Sequence, residues 1–117
     1  MAGLNNTAKN LMLDALGAVA VYASLHTADP GTTGTSEVSG GSPAYARKAI
    51  TWNAASGADL DNNANPTFDV PAGTTITHFG LWSASSGGTF YGSGDITDEV
   101  FAGQGTYTLT DADITLT

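Results

Sequence analysis

The stretch TITHFGLW, from Thr75 to Trp82, determines which fold class this chain adopts. β-Branched and aromatic residues dominate it, and these residue types fit the pleated, half-buried surface of a β-sheet. Turn-forming sequences bound the stretch, since Pro71-Ala72-Gly73 precedes it and Gly87-Gly88 follows it. We therefore predict a strand at residues 75–82 and, with it, a mainly β fold.

Short segments of similar composition occur on both sides of this strand, separated by turns rich in Gly, Pro and Asn. We predict further strands at residues 18–26, 45–52, 67–70, 89–91, 99–101, 107–110 and 114–117. Many short strands linked by such turns are typical of a β-sandwich or a jelly roll. The sequence therefore predicts a single domain over residues 1–117, a jelly-roll-like β-sandwich with one short N-terminal helix.

The N-terminal segment has the periodicity of a helix instead of a strand. One apolar stripe at helical spacing is formed by Leu4, Leu11, Met12 and Leu16, together with Ala8 and Ala15. Asn5 or Asn6 is a suitable N-cap and Gly17 a suitable C-cap, which predicts a helix at residues 4–16. A short helix needs a surface on which to bury its apolar face. We interpret the four large side chains of the stripe as an assembly element for a neighbouring subunit, with docking on the chain's own core as the alternative.

The charge of the chain excludes several classes of partner. Of its 117 residues, 3 are basic and 11 acidic, which gives a net charge of −8. Nucleic-acid binding depends on clustered Lys and Arg, so we expect no nucleic-acid partner. The acidic balance also disfavours a membrane surface, and no apolar run reaches the length of a membrane span. Cysteine is absent, which excludes disulfides and thiolate metal sites.

A long loop rich in Gly, Thr and Ser occupies residues 27–43, which is more than a simple connection needs. Four polar residues lie in it or beside it, namely His26, Asp29, Glu37 and Arg47. Hydrogen bonds and ion pairs among such side chains give a fixed shape to a loop that has few apolar anchors. We expect these four residues to form a network that ties the loop to the sandwich.

No pattern in the sequence predicts catalysis, a cofactor or a metal. His26 and His78 have no partners at metal-ligand spacing, so structural roles are favoured. Asp59, Asp61 and Asp69 raise the possibility of an acidic pair for glycoside hydrolysis. Asp59 and Asp61 lie beside an Asn-Asn pair, however, where Asp supports a turn. We interpret Asp111 and Asp113, between the last two predicted strands, as turn residues as well.

Five aromatic residues suggest either a platform for stacking sugars or a core, namely Trp52, Phe79, Trp82, Phe90 and Tyr91. The two tryptophans have apolar neighbours on the same strand face, Ile50 and Ile76, which is typical of core residues. We favour the core, because a sandwich of this size needs its large side chains inside.

Two groups of motifs are more specific in combination than any of these residues alone. The first comprises LHTADPG at residues 25–31, EVSGG at residues 37–41 and YAR at residues 45–47. The second is VPAGTTITHFGLW at residues 70–82. Together they resemble a family of small virion proteins of tailed bacteriophages, labelled tail-fibre-like or minor structural proteins, especially in phages of actinobacteria. Ser36 departs from the family pattern, which has Asn before the Glu.

This resemblance implies a non-enzymatic structural protein of a virion that is assembled in the cytoplasm of a bacterial host. The expected partners are the major capsid protein or tail proteins, together with further copies of the chain in a homo-oligomer. We favour a capsid decoration or minor capsid protein on the head exterior, because the chain is small and acidic and has no fibrous repeat. The alternatives are a tail-fibre or tail-tip protein and a carbohydrate- or receptor-binding module.

Overall fold

The computed structural model describes residues 3–117 and shows one helix and eight strands within them. In chain order they are α1 (Asn6–Val19), β1 (Tyr22–His26), β2 (Lys48–Ala49), β3 (Asp59–Leu60), β4 (Thr67–Val70), β5 (Thr74–Trp82), β6 (Phe90–Phe101), β7 (Gly105–Thr108) and β8 (Ile114–Thr115). Every pair of these strands is antiparallel. The prediction of a mainly β fold with one helix near the N-terminus is confirmed.

The main sheet has four strands in the order β2-β1-β5-β6. The stretch at residues 75–82 lies in β5, a central strand that pairs with β1 on one side and β6 on the other. Two further ribbons of two strands each complete the β structure, β3 with β8 and β4 with β7. The β structure therefore consists of one four-stranded sheet and two short ribbons.

The apolar core joins the main sheet to the ribbon of β4 and β7. β5 supplies Ile76, Phe79 and Leu81, and β4 supplies Phe68 and Val70, all of them buried in one cluster. The register of β5 on β6 shifts between Ile76 and His78. The extra residues lie on β6, which advances from Glu99 to Asp95 while β5 advances from Ile76 to His78. Ile76 and Phe79 are three residues apart on β5, and both are buried in the core cluster.

The opposite face of the main sheet is covered by the long loop. A Cβ atom added to Gly34 would lie 2.5 Å from the ring of Trp82, so the loop backbone packs directly on this residue. Gly34 also has a φ of 78°, in the left-handed region that glycine adopts most readily. The loop therefore acts as a layer of the fold rather than as a free surface connection.

The helix begins and ends later than the predicted range of 4–16. Asn5 is the N-cap, and its side chain accepts a hydrogen bond from the backbone N–H of Ala8 at 2.9 Å. Gly17 was predicted to end the helix but lies within it. A Cβ there would be 3.3 Å from Trp52, so this glycine allows close contact between helix and ring. In the described part of the chain no helix is long and apolar enough to cross a membrane.

Several strand boundaries also differ from the predictions. The predicted strand at 45–52 is reduced to the two residues of β2, and the two-residue strand β3 was not predicted. The segments predicted at 89–91 and 99–101 are the ends of one strand, β6. Its middle contains Gly92, Gly94 and Asp95, residue types that are depleted in strands, so composition alone suggested a break. Gly94 fits because a Cβ there would lie 2.6 Å from the ring of Phe79.

Candidate functional site

One side of α1 packs on the rest of the chain. Leu13 is buried, Leu16 packs against the core cluster and Gly17 contacts Trp52. These residues recur at helical spacing and so define the inner side of the helix. Polar side chains of the helix also form hydrogen bonds with the rest of the chain. The carboxamide oxygen of Asn10 accepts a hydrogen bond from Ala58 N–H at 2.9 Å.

The opposite side of α1 is apolar and faces solvent. The exposed fraction is 69% for Leu11, 53% for Leu4, 50% for Met12 and 44% for Val19. We call this surface the outer face, and it consists of Ala8, Leu11, Met12, Ala15, Ala18 and Val19 of α1, together with Leu4 just before the helix. A surface helix normally turns its apolar side to the core and its polar side to water. The outer face of α1 departs from that arrangement, because its large apolar side chains are exposed to solvent.

Leu16 is the one large residue of the predicted stripe that does not belong to the outer face. It packs against the core cluster of its own chain, so the predicted assembly set is corrected at this position. At about 100° per residue, Leu16 lies at the border between the apolar stripe and the inner side that carries Leu13. The spacing alone assigns such a border residue to either side.

A groove of about 270 Å³ lies beside the C-terminal half of α1. Ala18 of the outer face lines it, as do Trp52 and Leu60. The indole N–H of Trp52 donates to the carbonyl oxygen of Ala20 at 3.0 Å, which fixes the ring against the end of the helix. The apolar surface of the helix thus continues into a recess of the body.

Arg47 connects the long loop to the main sheet. Its Nη2 and Nε atoms donate to the two carboxylate oxygens of Glu37 at 2.9 and 3.0 Å, a bidentate ion pair. Nη1 donates to the carbonyl oxygens of Ala84 and Gly87 at 3.1 and 2.8 Å. The guanidinium carbon lies 3.6 Å from the ring centroid of Trp82. Three segments that are far apart in sequence therefore meet at one side chain.

Tyr45 extends this network into the sheet. Its hydroxyl donates to Glu37 Oε2 at 2.8 Å and accepts from the backbone N–H of Leu25 at 3.0 Å. Burial raises the pKa of the Tyr45 hydroxyl well above its usual value. The hydroxyl therefore stays protonated and continues to donate to Glu37.

His26 forms a second, buried connection between sheet and loop. Its Nδ1 lies 2.8 Å from the carbonyl oxygen of Thr35, and its Nε2 lies 2.7 Å from the hydroxyl of Ser24. Because a carbonyl oxygen only accepts, Nδ1 carries a proton. The Ser24 hydroxyl accepts from the indole N–H of Trp82 at 2.9 Å. That leaves the Ser24 proton for Nε2, so His26 is neutral, and burial lowers its pKa.

The remaining candidate of the loop network is placed differently. Asp29 accepts a hydrogen bond from the N–H of Gly31 at 2.9 Å, which shapes a turn within the loop. Among the described residues no hydrogen bond joins Asp29 to His26, Glu37 or Arg47. The structure brings Arg47 together with Glu37 and leaves Asp29 in a turn of its own.

An acidic cluster arises at the pairing of β3 with β8. Carboxylate oxygens of Asp59, Asp61 and Asp113 lie within 4.8 Å of one another. The pKa of Asp113 is raised to about 7, first by a hydrogen bond with Asp61, then by burial and by Asp111. The sequence placed these aspartates in two separate turns, and only the strand pairing brings them together. Elsewhere, His78 Nε2 lies 2.7 Å from the exposed carboxylate of Asp95 on the neighbouring strand.

The five aromatic residues considered for sugar stacking do not form one platform. Phe79 and Trp82 are buried, and Trp52 is partly buried. Phe90 packs on Trp82 with 5.0 Å between the ring centroids, and Tyr91 alone of the five is exposed. This arrangement agrees with the interpretation that the aromatic residues chiefly stabilise the fold.

Comparison with known protein families gives a match over the same residues that the structure describes. A family model described as "Podophage GP4 fiber I protein gp80" matches residues 3–117. The match includes α1, the long loop and the main sheet. No curated protein matches the chain.

Proposed function

The chain belongs to the podophage GP4 fiber I protein family, and from this premise we propose that it is a structural component of the phage tail fibre. Membership confirms the resemblance to tail-fibre-like phage proteins that the motifs indicated, and a role in the phage virion follows from it. The observation that carries the proposal is the family match over residues 3–117. We propose a purely structural role, without catalysis.

A position in the fibre is a better proposal than decoration of the capsid exterior. The decoration hypothesis depended on small size, acidity and the lack of a fibrous repeat, all of which a short fibre segment shares. The family description names a fibre. The described residues also form an elongated body of 49 × 26 × 25 Å, a shape that suits a segment placed end to end with other proteins.

We propose the outer face of α1 as the surface through which the chain joins the fibre. Complete burial of a Leu, Met or Val side chain contributes roughly 1.5–3 kcal/mol. Leu4, Leu11, Met12 and Val19 are each about half exposed, so covering them contributes roughly 3–6 kcal/mol per chain. That free energy is enough to matter in an assembly where each subunit also makes other contacts.

The long loop is proposed as a rigid part of this structural unit. The contacts of Arg47 with Glu37 and of His26 with Thr35 hold the loop on the sheet. A surface that is ordered before binding loses less conformational entropy on association.

Separation of virions into heads and tails tests the placement. Each fraction is digested and its peptides are quantified by mass spectrometry, with the major capsid protein as the marker for heads. We expect peptides of this chain in the tail fraction. Their recovery with the heads, in proportion to the major capsid protein, would support decoration instead.

A further inference from the structure

We infer that the outer face of α1 binds the same face of another copy of this chain, so that copies associate helix to helix. This inference rests on the proposed function and deepens it by naming the first partner within the fibre. Three observations carry it, namely the spacing of the apolar residues, the distribution of charge and the size of the exposed surface.

The spacing of the outer face is that of a helix-to-helix contact. Within α1, Ala8, Leu11, Ala15 and Ala18 are separated by three, four and three residues. This alternation is the seam along which two or more helices pack side by side. A partner with a flat or irregular surface would not require this alternation of three and four residues. In the described part of the chain α1 is the one helix, so a second copy supplies the matching seam.

The charge distribution favours the same contact. α1 carries one Lys and one Asp, Lys9 and Asp14, whose charges cancel, so the net charge of −8 resides outside the helix. Two copies therefore repel each other through most of their surfaces. Strand β6, which forms the long open edge of the main sheet, exposes Asp95, Asp98 and Glu99. The outer face contains no charged side chain, so copies approach there without that repulsion.

The outer face is smaller than a standard protein interface, so the contact between copies includes surface beside the helix. Its exposed apolar area is on the order of 400 Å², the size of a functional patch on a monomer. A standard interface buries about 800 Å² per partner. When copies surround a rotation axis, each helix contacts two neighbours, and the groove beside Trp52 adds further contact area.

The mass of the purified chain in solution tests the inference directly. Light scattering after size-exclusion chromatography is measured over a hundredfold range of concentration. We expect the wild-type chain to form an oligomer and Leu11→Asp to shift to the monomer. The matched control is Asn6→Asp, which adds the same charge at an exposed position outside the outer face and should stay oligomeric. Circular dichroism verifies that each variant is folded.

A cross-linking experiment places the contact. Because the chain has no cysteine, a single introduced thiol reports one position. Leu11 lies within the seam, and helices arranged around a rotation axis run parallel, so Leu11→Cys should give a covalent dimer on mild oxidation. Val100→Cys is the control, since Val100 is 73% exposed on β6 and far from the helix in sequence. It should remain monomeric on a non-reducing gel.

A monomeric wild-type chain without cross-linking at residue 11 would overturn the inference. If that chain is still recovered with phage tails, the proposed function stands and only the identity of the partner is wrong. Conversely, an oligomer that cross-links at residue 11 but is absent from virions would support the contact and contradict the proposed function.

Discussion

At the scale of single residues, Arg47 is the cation that holds the long loop against the main sheet. Its side chain is only 9% exposed, and that of its partner Glu37 is 22% exposed. A guanidinium group suits this position because its planar fork binds a carboxylate at two points and also stacks on an aromatic ring. The loop has few buried apolar residues of its own, so its position depends on such polar contacts.

Replacement of Arg47 should loosen the long loop. Arg47→Ala leaves the Glu37 carboxylate and two carbonyl groups without their donor, so we expect the free energy of unfolding to fall by about 1–3 kcal/mol. Limited proteolysis should then cut within residues 27–43 before the rest of the chain. Lys48→Ala removes the same charge from the next position and serves as the control. Equal melting temperatures and equal proteolysis of the two variants would contradict the assigned role.

His26 gives the fold a dependence on pH with a defined direction. Burial lowers its pKa in the folded state below 6.5, so the unfolded chain binds the proton more readily. Its contribution to stability is therefore complete above pH 6.5 and is lost as the pH falls below that value. Chemical denaturation of wild type and His26→Gln at pH 8 and pH 5 measures it. The wild type should lose more stability between the two pH values than the variant, and equal losses would refute the assignment.

At the scale of elements, strand β6 differs from the prediction that its composition gave. The strand runs for 12 residues, but its glycines and acidic residues split it into two predicted segments. Gly94 is required because the ring of Phe79 on β5 occupies the space where a side chain would lie. Gly92, two residues earlier, faces open space, because no atom lies within 4 Å of a Cβ placed there. The local sequence does not distinguish the packed position of Gly94 from the open position of Gly92.

The two glycines form a matched pair for mutagenesis. Gly94→Ala should destabilise the fold by about 1–3 kcal/mol, because the added methyl group displaces the ring of Phe79. Gly92→Ala should be neutral or slightly stabilising, since alanine loses less backbone entropy than glycine in a strand. Thermal melts of the two variants compare these effects. A Gly92 variant as unstable as the Gly94 variant would show that the local packing is different.

The ribbon of β3 and β8 should make the stability of the fold depend on pH. The pKa of Asp113 is raised to about 7, above its value in the unfolded chain, so the folded state binds this proton more tightly. Stability should therefore increase as the pH falls from above 7 towards 4. Asp113→Asn should be more stable than wild type at pH 8, and the difference should shrink at pH 5. Asp98→Asn removes the same charge at an exposed position on β6 and serves as the control.

The sequence predicted the elements whose patterns are local and missed the features created by pairing. The strand at residues 75–82 was found because every residue in it carries the same signal. The apolar stripe of α1 was also found, with the exception of Leu16, whose side of the helix is decided by the body it packs on. The cluster of Asp59, Asp61 and Asp113 depends on two strands that are more than fifty residues apart, and no local pattern indicates it. The ion pair of Arg47 with Glu37 joins two of the four residues that were expected to form the loop network.

At the scale of the whole molecule, the distribution of surface types agrees with a part made for assembly. One end of the chain presents an uncharged apolar helix face, and the remainder carries the entire net charge of −8. Strong like charge keeps unassembled subunits soluble and directs contact to the uncharged surface. The long loop and the sheet provide a rigid body behind that surface. This division of roles agrees with the proposed function of the chain as a structural component of a fibre.

The most direct test of the central claim is the position of the chain on the intact phage. Gold-labelled antibodies against the purified chain are bound to virions and located by electron microscopy, with an antibody against the major capsid protein as the reference. We expect gold particles on the fibres of the tail and none over the capsid. Labelling spread over the capsid surface, with bare fibres, would contradict it.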